Sequence, residues 1–217
     1  VDYRIGSLYN RVNTIIFFMK PVSWREAMSK FTKLRIMDTF LELLNKKSLD
    51  KMTVKDIIET AEINRNTFYY YFEDIYDLLH EVFKKQFKDF CNETKKETFY
   101  EEYVRAAEFI TKNRNAMEHV YKSKDRDLIR IYIERVARIF VARFVREAAV
   151  SYELSEEGVE YLTGFYSNAI TGNTMHWVEE GMPPYREKVL FLISKSFEAT
   201  VDNMIKTYIE FGECKTQ

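Results

Sequence analysis

The chain holds no proline between Pro21 and Pro183 and no glycine between Gly6 and Gly158. A sheet-rich fold draws on Gly, Asn-Gly or Pro at its tight turns, and a dinucleotide or P-loop fold needs glycine where backbone approaches phosphate. The gap excludes both. What remains for 217 residues, 46% of them hydrophobic, is an all-α protein of one or two domains, long enough to bury a core.

Apolar spacing divides the chain. Residues 1–27 mix Tyr, Asn and Arg with one apolar burst and read as an N-terminal extension, with Met28, where the helical period sets in, as an expected translation start. Leu34, Met37, Leu41 and Leu44 then share one face of a helix of about 17 residues ending near Lys46-Lys47. Thr53 is placed to cap a brief helix carrying Val54, Ile57, Ile58 and Ala61, Asn64 to cap another reaching Phe72, and Asp74 to open a longer one with Leu78, Leu79, Val82, Phe83 and Phe87. Further helices are predicted over 99–113, 115–122, 125–151, 155–180 and 185–211, with Ser155 as a cap and Gly181-Met182-Pro183-Pro184 as the firmest break. The expected organisation is a three-helix domain over 28–75 and a larger helical domain over 76–217.

Formal net charge is −1, but residues 1–72 carry 12 basic and 8 acidic side chains against 21 and 26 in residues 73–217. Only the N-terminal third is suited to face a polyanion. Cys91 and Cys214 lie far apart and His80, His119 and His176 are scattered, so neither a disulfide framework nor a metal or cofactor site is expected, and a cytoplasmic setting fits. The apolar run Thr14–Met19 is too short to span a bilayer, so no membrane partner is expected. No Ser-His-acid order, paired carboxylate motif or glycine-rich phosphate loop is visible, and Glu156-Glu157 and Glu179-Glu180 read as solvated helix-end charges; an enzyme is not expected.

The segment Thr53–Phe72, TVKDIIETAEINRNTFYYYF, carries two short helices across a turn of three or four residues, the helix-turn-helix arrangement whose second helix enters the major groove. Ile57, Ile58, Ala61, Ile63, Phe68 and Phe72 form the packing side. Arg65, Asn66, Thr67, Tyr69, Tyr70 and Tyr71 are left to face outward or to flank that face. Their chemistry suits DNA: arginine is bidentate to guanine and asparagine to adenine, and tyrosine hydroxyls bond phosphates.

From about Lys33 to Leu79 the chain resembles the DNA-binding domain of the TetR family of transcriptional regulators, through Ile57-Ile58, Ala61-Glu62-Ile63, Asn64–Phe72 and Leu78-Leu79, spaced without gaps. The resemblance implies that Asn64 caps the recognition helix, that Arg65, Asn66 and Thr67 face bases, that Tyr69 and Tyr71 meet phosphates with Tyr70 near a sugar or base edge, and that Lys55 approaches DNA. Two positions depart from the pattern. The turn glycine is Glu62, and the lysine that usually opens the following helix is Ile75.

For the larger domain the resemblance implies effector binding and a homodimer built from helices near 155–180 and 185–211, matching a palindromic operator of two half-sites. The stripes Leu162, Phe165, Tyr166, Ala169 and Leu190, Ile193, Phe197, Val201, Ile205 are the candidate interface. Gly164 through Gly172, followed by His176-Trp177 and Glu180-Gly181-Met182-Pro183, resembles the TetR subgroup that includes regulators of dihydroxyacetone-kinase operons. Candidate residues for an unidentified small-molecule effector are Tyr121, Tyr132, Arg135, Phe140, Tyr166, Asn168 and His176. The expected function is a repressor released by its effector; the alternative is a coactivator of the same fold that works through a protein partner.

Overall fold

The computed structural model describes residues 24–183 and 186–212. Among them are nine α-helices and no strand: α1 (Trp24–Leu44), α2 (Val54–Thr60), α3 (Arg65–Tyr71), α4 (Ile75–Asn92), α5 (Phe99–Lys112), α6 (Arg114–Tyr121), α7 (Asp127–Ala148), α8 (Glu156–Glu179) and α9 (Arg186–Thr207). Cys214 and the apolar run Thr14–Met19 lie outside the described residues. None of the described helices is long and apolar enough to cross a membrane.

Local chemistry sets the helix starts. Thr53 and Asp56 form a reciprocal capping box at α2, with bonds of 2.7 and 3.2 Å; Asn64 accepts the Thr67 N–H at 2.8 Å at α3, and the Asp74 carboxylate accepts the N–H groups of Tyr76 and Asp77 at 2.8 Å at α4. Ser155 caps α8 through the Gly158 N–H. The end of α8 is closed by Gly181 and Met182, both left-handed at φ +75 and +55, with the Met182 N–H returning to the Trp177 carbonyl at 2.9 Å. The expected boundary at 27/28 falls inside a helix, because α1 already runs from Trp24. At its other end α1 stops at Leu44, and the Lys47 ammonium turns to the Asp56 carboxylate at 2.7 Å.

Two parts of one continuous hydrophobic cluster hold the helices together. Ile36, Phe40 and Leu44 of α1 close over Ile57, Ala61, Phe68 and Phe72, and Leu78 and Leu79 of α4 complete that core. Beyond it the packing is aromatic: Phe99 stacks on Phe197 at 4.1 Å and meets Phe140 edge-on, while Phe83 and Phe109 both meet the Tyr132 ring. Arg105 is buried against Phe90, 3.9 Å from its ring, and bonds Glu102 and Glu93. Burial pushes the Glu102 carboxyl up, and hydrogen bonds from Arg105 and the Lys96 N–H more than offset it, leaving a net depression.

The α8 and α9 stripes expected to meet a second subunit are mostly used within the chain. Leu162, Tyr166, Leu190, Phe197, Val201 and Ile205 are all buried, and Ile193 is half-buried. Core and interface ask for the same three-to-four spacing. Phe165 and Ala169 remain outward, as do Tyr161 of α8 and Phe191 and Leu192 of α9.

Candidate nucleic-acid interface

The two helices of the turn are placed by Ile57 and Phe68, both fully buried, and by the bend at Ala61-Glu62-Ile63. Glu62 takes the left-handed backbone, φ +50, at the position where the sequence pattern wants glycine. For an L residue that conformation costs on the order of 1 kcal/mol. Its carboxylate is met by the Arg35 guanidinium at 3.1 Å, an exposed pair that neutralises the acid at the turn. Sequence reasoning missed Arg35, since nothing local links residues 27 positions apart.

α3 presents an exposed edge. Asn64 Oδ1 accepts both the N–H and the hydroxyl of Thr67, at 2.8 and 3.0 Å, which leaves the Asn64 amide N–H groups outward. Arg65 lies over the Tyr69 ring at 5.6 Å and reaches its hydroxyl at 3.4 Å, so the guanidinium is held along the helix one turn from its own backbone. Asn66 is exposed, and Tyr69 and Tyr70 are 47% and 76% exposed. Lys55 on α2 is exposed beside Glu59 at 3.7 Å.

Two of the expected readers are otherwise engaged. The Tyr71 hydroxyl donates to Ser29 Oγ at 3.1 Å and its ring is half-buried against the core, so it fixes α3 to α1 instead of standing free. Thr67 is half-buried and spends its hydroxyl on the Asn64 cap. The reason is the helical period: residues 67, 68, 71 and 72 fall on the packed side, and 65, 66, 69 and 70 on the outer one. Ile75 opens α4 half-buried against the core and offers no cation there.

The candidate effector residues do not converge on one cavity among the described residues. Tyr132 and Phe140 share a small space of about 20 Å³ with Tyr103, Ala106, Ala137 and Thr174. Tyr166 is buried with its hydroxyl paired to Thr200 at 2.9 Å, and Tyr121 is half-buried at the end of α6. Arg135, Asn168 and His176 are exposed, His176 facing Glu180 at 3.4 Å. Periodicity again explains the split, since 132 and 140 point inward from α7 while 135 points out, and 166 points inward from α8 while 168 and 176 point out. Burial raises the Tyr132 hydroxyl pKa, and raises that of Tyr103 to about 12.

Family comparison bears on both parts of the chain. A family model described as "Bacterial regulatory proteins, tetR family" matches residues 36–82, spanning α2, α3 and the bend, and one described as "Transcriptional regulator C-terminal region" matches residues 97–199. Together they cover more than half of the chain. The chain belongs to the TetR family. It is a TetR-family transcriptional regulator, from a family of regulators and not of enzymes. It is similar to the HTH-type dhaKLM operon transcriptional activator DhaS of Lactococcus lactis subsp. lactis (strain IL1403), 34% identical over 65 residues, 30% of this chain. That match spans 35% of the relative's own length. A solved structure of the Dihydroxyacetone kinase operon activator DhaS superposes with a TM-score of 0.66 at 21% identity, over 79% of this chain and 97% of that one, and shows the fold of this TetR-family regulator.

Proposed function

We propose that the chain acts as a homodimer that reads a palindromic operator with Arg65, Asn66, Tyr69 and Tyr70, supported by Asn64 and Lys55, and represses until an effector bound by the C-terminal region releases it. The observation that carries this reading is the exposed edge of α3, where a guanidinium, an amide and two phenols stand free of the core while the alternate positions are buried. Residues from Trp24 to about 75 form the DNA-reading unit and residues 76–217 the unit for effector and partner subunit.

Dimerisation is supported by the outward face of α8. Tyr161, Phe165, Ala169 and Gly172 line it, and α9 leaves Leu192 and Ala199 exposed as well. A Cβ at Gly172 would meet nothing within 4 Å of the chain itself. Glycine inside a helix costs about 1 kcal/mol relative to alanine, so an exposed one fits a face that a second backbone approaches closely.

The two units are bonded through α6. Asn45, just past α1, donates to Asn113 Oδ1 at 3.3 Å and accepts the Ala116 N–H at 3.1 Å, and His119 Nδ1 lies 2.7 Å from the Leu44 carbonyl. A ligand that favours one arrangement of α5 and α6 thereby favours one position of α1, and only its differential affinity for the two arrangements shifts the balance.

The test is a gel shift with DNA upstream of the chain's own gene, across salt concentrations. Sequence-selective retardation supports the reading, and the absence of any preference at low salt contradicts it. A second reading, activation, is favoured by the activator names of both similar proteins, and Glu62 and Ile75 favour a coactivator form of it with weak DNA contact. Loss of the gene separates the two: target transcription rises under repression and falls under activation. Regulation that survives Arg65→Ala identifies the coactivator working through a protein partner.

A further inference from the structure

We infer that the groove between α4 and α7 is a binding site for a small amphipathic carboxylate. α7 carries five arginines. Arg130, Arg138, Arg143 and Arg146 face Glu134, Glu160, Glu147 and Glu156 respectively. Arg135 has no hydrogen bond or carboxylate partner among the described residues. It stands at the rim of a groove of about 250 Å³, with His80 and Lys84 of α4 on the opposite rim.

The floor between these polar side chains is apolar. Phe87, Leu128, Ile131 and the Tyr132 ring form it, and Ile131 remains 37% exposed. A floor of this kind gains by covering its carbon surface, and a guanidinium without a partner gains most from a planar, bidentate carboxylate. One molecule that does both has an apolar body and a carboxylate head. The volume lies just below the range of about 300–1,000 Å³ usual for small-molecule sites, which sets the occupant's size near a short acyl chain or a single aromatic ring. The one acid on the rim, Glu81, is already held by Lys33 at 2.7 Å and Lys84 at 2.8 Å, so it leaves Arg135 without a carboxylate.

One wall of the groove is bonded to the DNA-reading unit, through Glu81 and Lys33. Lys33 belongs to α1, and its ammonium lies 5.5 Å from the Phe72 ring at the end of α3. A ligand carboxylate on the rim competes with Glu81 for Lys84, beside the ion pair that joins α4 to α1. This link to regulation rests on the proposed function, whereas binding in the groove does not.

Calorimetric titration of the full chain with octanoate, with octylammonium and octan-1-ol as controls, tests the site. Octanoate is expected to saturate at one per subunit, octylammonium not to bind, and Arg135→Gln to weaken octanoate by about tenfold or more, as loss of a charge-assisted pair does. Arg135→Gln removes no internal contact, so its melting curve should match the parent's; Arg130→Gln, outside the groove, should leave octanoate affinity unchanged. Equal binding of all three probes, octanoate affinity indifferent to Arg135→Gln, or no octanoate binding overturns the site. Octanoate that binds through Arg135 without moving affinity for the upstream DNA overturns the regulatory link alone. A chain that binds no DNA refutes the proposed function, and the titration still decides the groove.

Discussion

At the scale of single residues the most informative position is Glu62. The turn needs a left-handed backbone there, and the chain supplies an acid at φ +50 with Arg35 beside it. Glycine would remove the steric cost, and alanine would keep it while losing the ion pair, which as an exposed contact contributes at most about 1 kcal/mol. Glu62→Gly should therefore be more stable than Glu62→Ala by about 1 kcal/mol in urea unfolding. Both variants also remove a carboxylate from the face offered to phosphate, so both should bind duplex DNA more tightly than the parent at low salt. Equal stability of the two variants would show that the φ at 62 carries no strain.

At the scale of elements, the short helices of the turn depend on their caps. Asp56 accepts from Lys47, from the Thr53 hydroxyl and from the Thr53 N–H, and these hydrogen bonds lower its carboxyl from the ordinary 3.8 to about 2. A depressed carboxyl contributes stability that is full above pH 3.8 and is lost as pH falls through 2. Asp56→Asn should cost about 1 kcal/mol at pH 7, as loss of a cap interaction does, and should flatten the acid transition between those pH values when followed by circular dichroism. An unchanged acid limb would show that Asp56 gains nothing from folding. The caps are also why the helix order was legible in the sequence. Thr53, Asn64, Asp74 and Ser155 act on N–H groups two or three residues away, so spacing alone reveals them. The bond from Tyr71 to Ser29 was not legible, because its partner lies 42 residues earlier and a run of three tyrosines carries no mark of which one turns inward. The candidate effector residues divide between faces for a related reason: a list of aromatic and polar types ignores which face of α7 or α8 each one occupies, and only Tyr132 and Arg135 of α7 share the groove against α4.

At the scale of the whole molecule, the apolar residues of α8 and α9 are divided between the chain's own core and an outward face, and sequence could not divide them. The outward face makes its own prediction. Because no other helix comes within 4 Å of a Cβ at Gly172, Gly172→Trp should leave the helical content and melting of the folded chain intact while converting a dimer to a monomer in sedimentation. A dimer that survives Gly172→Trp places the interface elsewhere. The central claim is that the outer edge of α3 reads DNA as part of a twofold molecule. It is tested most directly by fluorescence anisotropy of the upstream duplex titrated with the parent chain and with Arg65→Ala at several salt concentrations. The account predicts saturable binding at two chains per site, a loss of about 1–3 kcal/mol on Arg65→Ala, and relaxed discrimination at one base position in each half-site. Binding that is unaffected by Arg65→Ala, or that shows no preference over scrambled duplex, would contradict it.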